Sequence, residues 1–69
     1  MKLSARNVIK GRIKAITPGA VNAEVVIEIA PGVEVVSIIT MSSVQSLGLA
    51  VGKEAYAVIK ASNVMVAVD

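Results

Sequence analysis

At 69 residues the chain has room for one domain, residues 1–69, built around a single core. It contains no cysteine and no histidine, and Tyr56 is its one aromatic residue. That excludes disulfides, thiol or imidazole catalysis and the ordinary zinc or iron sites. Seven Lys and Arg against five Asp and Glu leave a net charge of +2, too small an excess to imply nucleic acid.

The N-terminus, Met1-Lys2-Leu3-Ser4-Ala5-Arg6, lacks the apolar segment of a secretion signal, and the expected address is the cytoplasm. From Val8 to Ile16 the odd positions Ile9, Gly11, Ile13 and Ala15 are apolar or small, with Lys10, Arg12 and Lys14 between them. This alternation predicts a half-buried first strand. Thr17-Pro18-Gly19-Ala20 supplies turn chemistry. Beyond it Val21, Ala23, Val25, Ile27 and Ile29 alternate with Asn22, Glu24 and Glu28 to predict a second strand. A hairpin that keeps both apolar sets on one face pairs Lys14 with Glu24 and Lys10 with Glu28, neutralising the basic stripe within its own sheet.

After a turn at Ala30-Pro31-Gly32, Val33 to Thr40 is β-branched and apolar on both faces around Ser37, as in a central or interface strand. Ser42 and Ser43 precede Val44-Gln45-Ser46-Leu47 and Gly48, the order of N-cap, short helix and glycine stop. A fourth strand is expected over Glu54 to Lys60 and a fifth over Val64 to Val68. Five strands with one short helix between the third and fourth give an all-β, OB-fold-like Greek-key barrel. No run of about 18 residues escapes polar interruption, so no membrane helix is expected.

A chain this short buries only roughly 60% of the surface it exposes when unfolded. With 55% hydrophobic residues, a mean hydropathy of +0.77 and no disulfide or metal to reinforce it, self-association is the expected support.

OB barrels often read single-stranded nucleic acid, but they stack bases on several aromatic rings, and Tyr56 alone cannot supply that. The acids offer no nucleophile and base that can be named together, so an enzyme is not expected and no catalytic residue is assigned. Three clusters of small donors and cations remain at the strand ends: Ser4-Ala5-Arg6-Asn7, Thr40-Met41-Ser42-Ser43 and Lys60-Ala61-Ser62-Asn63. A tetrahedral dianion only accepts hydrogen bonds, and hydroxyls, backbone N–H groups and one or two positive charges suit it. The competing structural reading makes Thr40, Ser42 and Ser43 caps and Lys60-Ala61-Ser62 a turn.

The order and spacing of Ser4-Ala5-Arg6-Asn7, Lys10-Gly11, Ala23-Glu24-Val25, Ser37-Ile38-Ile39, Ser43-Val44 with Leu47-Gly48, and Val58-Ile59-Lys60 resemble the molbindin, or Mop, family over nearly the whole chain. The resemblance implies binding of molybdate or tungstate at sites between subunits of a hexamer, a trimer of dimers, and a role in storage or homeostasis of the anion. It implies no catalytic cofactor, and metal enters only as the oxyanion. By motif, Ser4, Ala5 and Arg6 form one side of the site, Thr40 and Ser43 add hydroxyls, and Lys60, Ala61 and Ser62 close it. The alternative is an oligomerisation or regulatory module whose apolar strands serve protein contacts and whose anion binding is incidental.

Overall fold

A computed structural model describes residues 1–69, in the order β1 (Asn7–Pro18), β2 (Asn22–Ala30), β3 (Val33–Thr40), α1 (Met41–Ser46) and β4 (Glu54–Ile59), with a 3-10 turn at Ala61–Asn63. The four strands form one antiparallel sheet in the order β3-β2-β1-β4. β1 is shared along its length: Asn7 to Arg12 pair with β4, and Arg12 to Pro18 pair with β2. One strand therefore serves both wings of the sheet, and the changeover comes at Gly11 and Arg12. A Cβ built on Gly11 would lie 2.6 Å from the Glu28 carbonyl oxygen and 2.7 Å from Ile27 Cγ2. The backbones approach too closely there for any side chain.

The alternation expected of β1 and β2 is present. Ile13, Ala23, Val25 and Ile27 are buried, and Ala57 of β4 and Val44 of α1 complete the fully buried core. Ile9, Ile16, Ile29, Val35, Ile39, Met41, Leu49 and Ala55 pack around it, half-buried. Val44 brings α1 down onto the sheet, and Gly48, at φ +63, follows the C-cap Leu47 in the left-handed conformation that ends many helices.

Three expectations need correction. First, the helix begins at Met41 with Thr40 as its N-cap, ahead of Ser42 and Ser43. Second, the hairpin register differs. Arg12 faces Glu28 and Ile13 faces Ile27, but Ala15 faces Val26, so Lys14 is the extra residue of a β-bulge and the pairing slips by one beyond it. Lys14 consequently reaches Glu28 at 3.8 Å, and also Glu34 of β3, rather than Glu24. Lys10 lies outside the β1–β2 ladder, beside β4, and pairs with Glu54 at 3.4 Å rather than with Glu28. The bulge has a local logic, because Glu28 and Glu34 are directly opposite on β2 and β3, and like charges there repel. Lys14 is the cation that bridges them.

Third, the sheet has four strands where five were expected. β4 stops at Ile59, Lys60 caps the 3-10 turn, and Val64–Val68 forms no strand. Those residues have strand-forming chemistry but no strand beside them, and a ladder needs both partners. Beyond Val64 the backbone makes no backbone hydrogen bond.

Candidate functional site

The strand registers decide which of the three donor clusters meet. Asn7 pairs with Ile59 at the last rung of the β1–β4 ladder, and its side-chain amide donates to the Ile59 carbonyl at 3.2 Å. Arg6 and Lys60 are the residues immediately beyond that rung, so the segments carrying Ser4, Ala5 and Arg6 and carrying Lys60, Ala61 and Ser62 leave the ladder at the same end, where the chain turns at Ala61–Asn63. Two of the sequence clusters thus adjoin the same end of the sheet. Ala5 is half-buried, while Ser4, Arg6, Lys60, Ala61 and Ser62 are exposed.

Its electrostatics set it apart from the rest of the chain. Lys10 and Lys14 form ion pairs, Arg12 Nη1 donates to the Gly52 carbonyl at 2.8 Å, and Lys53 Nζ donates to the Gly48 carbonyl at 3.1 Å. Arg6, Lys60 and Lys2 are the three cations with neither a salt bridge nor a side-chain hydrogen bond to the protein. Like charges on facing positions are unfavourable, so an Arg6–Lys60 apposition without an internal counterion is a place where an anion is stabilising. Sequence reading passed over Lys2, which enters this group two residues before Ser4, and Asn7, whose amide ties the two segments together. Asn7 stood within a quoted cluster, but its pairing with Ile59 is visible only in the fold.

Thr40 and Ser43 lie elsewhere. Thr40 pairs with Asn22, at the edge of the sheet where β1 finishes, and α1 follows immediately. Thr40 Oγ1 accepts from the Ser43 N–H at 3.0 Å and donates to Ser43 Oγ at 2.8 Å, which is the N-cap role proper. The Ser43 hydroxyl keeps its own proton to donate, and Ser43 is half-buried. No hydrogen bond joins Thr40 or Ser43 to the Arg6–Lys60 end. The twelve residues of β1, at roughly 3.3 Å each, put about 40 Å of strand between the two ends. Within one chain the eight expected site residues are therefore divided between the two ends of β1, with Arg6 and Lys60 at one and Thr40 and Ser43 at the other.

A family model described as the TOBE domain matches residues 3–66. The probable molybdenum-pterin-binding protein of Haemophilus influenzae is 51% identical over 69 residues, the whole of both chains. The chain belongs to the Mop family of TOBE-domain proteins. MopII from Clostridium pasteurianum superposes with a TM-score of 0.90 at 45% identity, covering 97% of this chain and all of that one. The cytoplasmic molybdate-binding protein ModG, in a molybdate-bound crystal form, superposes at 0.89 with 51% identity over 94% of this chain. This chain spans 46% of ModG, whereas it matches the H. influenzae protein and MopII end to end. The Mop structures have an OB-like fold, and the curled four-stranded sheet with its single short helix is this chain's version of it.

Proposed function

We propose that this protein binds molybdate, or the nearly equal-sized tungstate, and that it stores or buffers the anion at sites completed between copies of the chain. The observation that carries this reading is the apposition of Arg6 and Lys60, two cations without protein counterions at the joined ends of β1 and β4. Ser4 and Ser62 add hydroxyls beside them. Thr40 and Ser43 supply the remaining donors from a second copy, because their own chain holds them at the far end of β1. The names of the relatives support the choice of ligand.

Some of those names also mention a pterin. The apolar trough in this fold, about 670 Å³, offers only Ser37, Glu54 and the Tyr56 hydroxyl as polar side-chain groups, a poor match for a ring edge rich in donors and acceptors. The donor set at Arg6 and Lys60 suits an acceptor-only oxyanion better. The protein acts on this reading as a binding protein without a catalytic cofactor.

Equilibrium dialysis against molybdate, tungstate, sulfate and phosphate tests the proposal. Saturable uptake of both metalates at micromolar concentration is expected. Sulfate should compete poorly, because donors set for the longer metal–oxygen bonds cannot all reach a smaller anion. Uptake of no oxyanion would end the reading, and displacement of molybdate by sulfate on equal terms would reduce the site to unshaped positive charge.

A further inference from the structure

Asn7 is not among the residues assigned to the anion, yet it is bonded to both of the cations that are. It follows Arg6 directly in the chain, and its amide nitrogen donates to the Ile59 carbonyl at 3.2 Å, on the peptide that leads into Lys60. A carbonyl only accepts, so the amide must turn its N–H side toward Ile59. A peptide group is planar and trans, and a carbonyl held on one side fixes the N–H on the other. Asn7 therefore sets the tilt of the Ile59–Lys60 peptide and the direction of the Lys60 N–H. The peptide on the far side of Lys60 is held too, because the Lys60 carbonyl accepts from the Asn63 N–H at 2.8 Å. With both flanking peptides pinned, Lys60 sits at φ −62, ψ 133, and its side chain leaves the backbone in a fixed direction.

We propose that Asn7 is a positioning residue for the oxyanion: its bond to the Ile59 carbonyl fixes Lys60 relative to Arg6, and so sets the shape of the site rather than its charge. The role rests on the binding function proposed above. The sheet itself has little need of this bond, because the rungs from Val8–Val58 to Arg12–Glu54 already hold β1 to β4. Lys60 lies beyond the last rung, where a ladder frays first, and the Asn7 amide is the one side-chain hydrogen bond from β1 that reaches its peptide. Molybdate and sulfate carry the same charge, so cations free to reorient attract both alike. Cations held in place favour the anion whose oxygens meet them without further ordering. Loosening Lys60 should therefore cost molybdate binding and leave sulfate binding as it was.

Asn7→Leu keeps nearly the same bulk without the donor, and Asn7→Ala removes the bulk as well. Equilibrium dialysis should show molybdate affinity falling about fivefold in each, the equivalent of one net hydrogen bond, with the preference over sulfate narrowing by the same factor. A residue that merely closes the ladder would lower the denaturation midpoint and leave that preference unchanged. The double variant Asn7→Ala/Lys60→Ala tests the route. A residue that acts through Lys60 costs nothing further once Lys60 is truncated, whereas an independent contribution adds in full. Parental molybdate affinity in both single variants, an unchanged molybdate-to-sulfate ratio, or a fully additive double variant would overturn the positioning role while the parent still binds. A parent that takes up neither anion would instead end the binding function itself, and this role with it. Asn7→Ala crowds nothing, so the comparison stands even if Asn7→Leu fails to fold.

Discussion

Two stretches along β1 and its neighbours carry positive charge, and they are built on opposite plans. In the middle, Lys10 is matched by Glu54, Lys14 by Glu28 and Glu34, and Arg12 by the Gly52 carbonyl. At the end, Arg6 and Lys60 flank the last rung with no acid or carbonyl bonded to either. A net charge of +2 conceals this, because the paired cations cancel locally and the unpaired ones collect at one place. On the proposed function, position at the end of the strand, not cation count, selects where the anion binds.

The largest expected effect sets one region directly against the other. A charge-assisted contact to a bound anion is worth about 1.5–3 kcal/mol, whereas an exposed ion pair contributes roughly 0–1 kcal/mol. Arg6→Ala or Lys60→Ala should therefore weaken molybdate binding about tenfold to a hundredfold, with assembly mass and circular dichroism unchanged. Lys10→Ala should leave dialysis binding within about twofold, since its exposed pair with Glu54 contributes to the fold alone. Equal losses in all three variants would dissolve the distinction between the regions.

Gly11 lies within the paired region, at the point where β1 passes from one wing of the sheet to the other. Gly11→Ala puts a methyl group against the Glu28 carbonyl and Ile27, and forced close contacts of this kind cost about 1–3 kcal/mol. Chemical denaturation should show that loss in the midpoint with an unchanged slope. Any fall in oxyanion affinity should then be small, because Asn7 and Ile59 still fix the end of the ladder. A variant as stable as the parent would mean that the sheet does not fold over at Gly11.

Much of this was readable in the sequence wherever alternation alone decides the structure. The strands β1, β2 and β3 and the short helix follow from apolar spacing and turn residues. The hairpin register did not, because a bulge at Lys14 breaks the even pairing and its cause, the facing Glu28 and Glu34, involves a third strand. The fifth strand failed for a related reason: Val64–Val68 has the composition of a strand, but strand formation also needs a partner edge, and composition does not say where that edge lies. The donor clusters were visible as polar residues at strand ends. That Arg6 and Lys60 flank one rung, while Thr40 and Ser43 lie at the other end of β1, depends on strand order, which no local pattern encodes.

Thr40 offers a smaller and more discriminating test, since its hydroxyl caps α1 and is also assigned to the anion. Thr40→Ala should cost about 1 kcal/mol of stability through the lost cap and weaken binding as well. Thr40→Asp keeps a good cap acceptor but places a negative charge where the anion is to sit. Stability should be retained and oxyanion affinity should fall. If Thr40→Asp binds as the parent does, Thr40 is a cap and nothing more, and the hydroxyl half-site must be redrawn around Ser43.

The smallest expected effect belongs to Lys14, and its pH dependence has a definite sign. The hydrogen bond and charge of Glu34, with a further contribution from the Glu28 charge, raise the Lys14 pKa above its ordinary 10.5 despite slight desolvation. A lysine whose folded value is raised stabilises the fold fully below its unfolded value, and that contribution is lost as pH climbs through the folded one. Across roughly pH 6 to 9 the stability difference between the parent and Lys14→Met should therefore be flat, closing only above about pH 10.5. Denaturant midpoints taken along that series check it. A difference that shrinks already near neutrality would show that Lys14 is not the cation holding Glu28 and Glu34 together, and the bulge at that position would need another cause. Oxyanion uptake by Lys14→Met should match the parent, because its charge is already matched by the two acids it bridges.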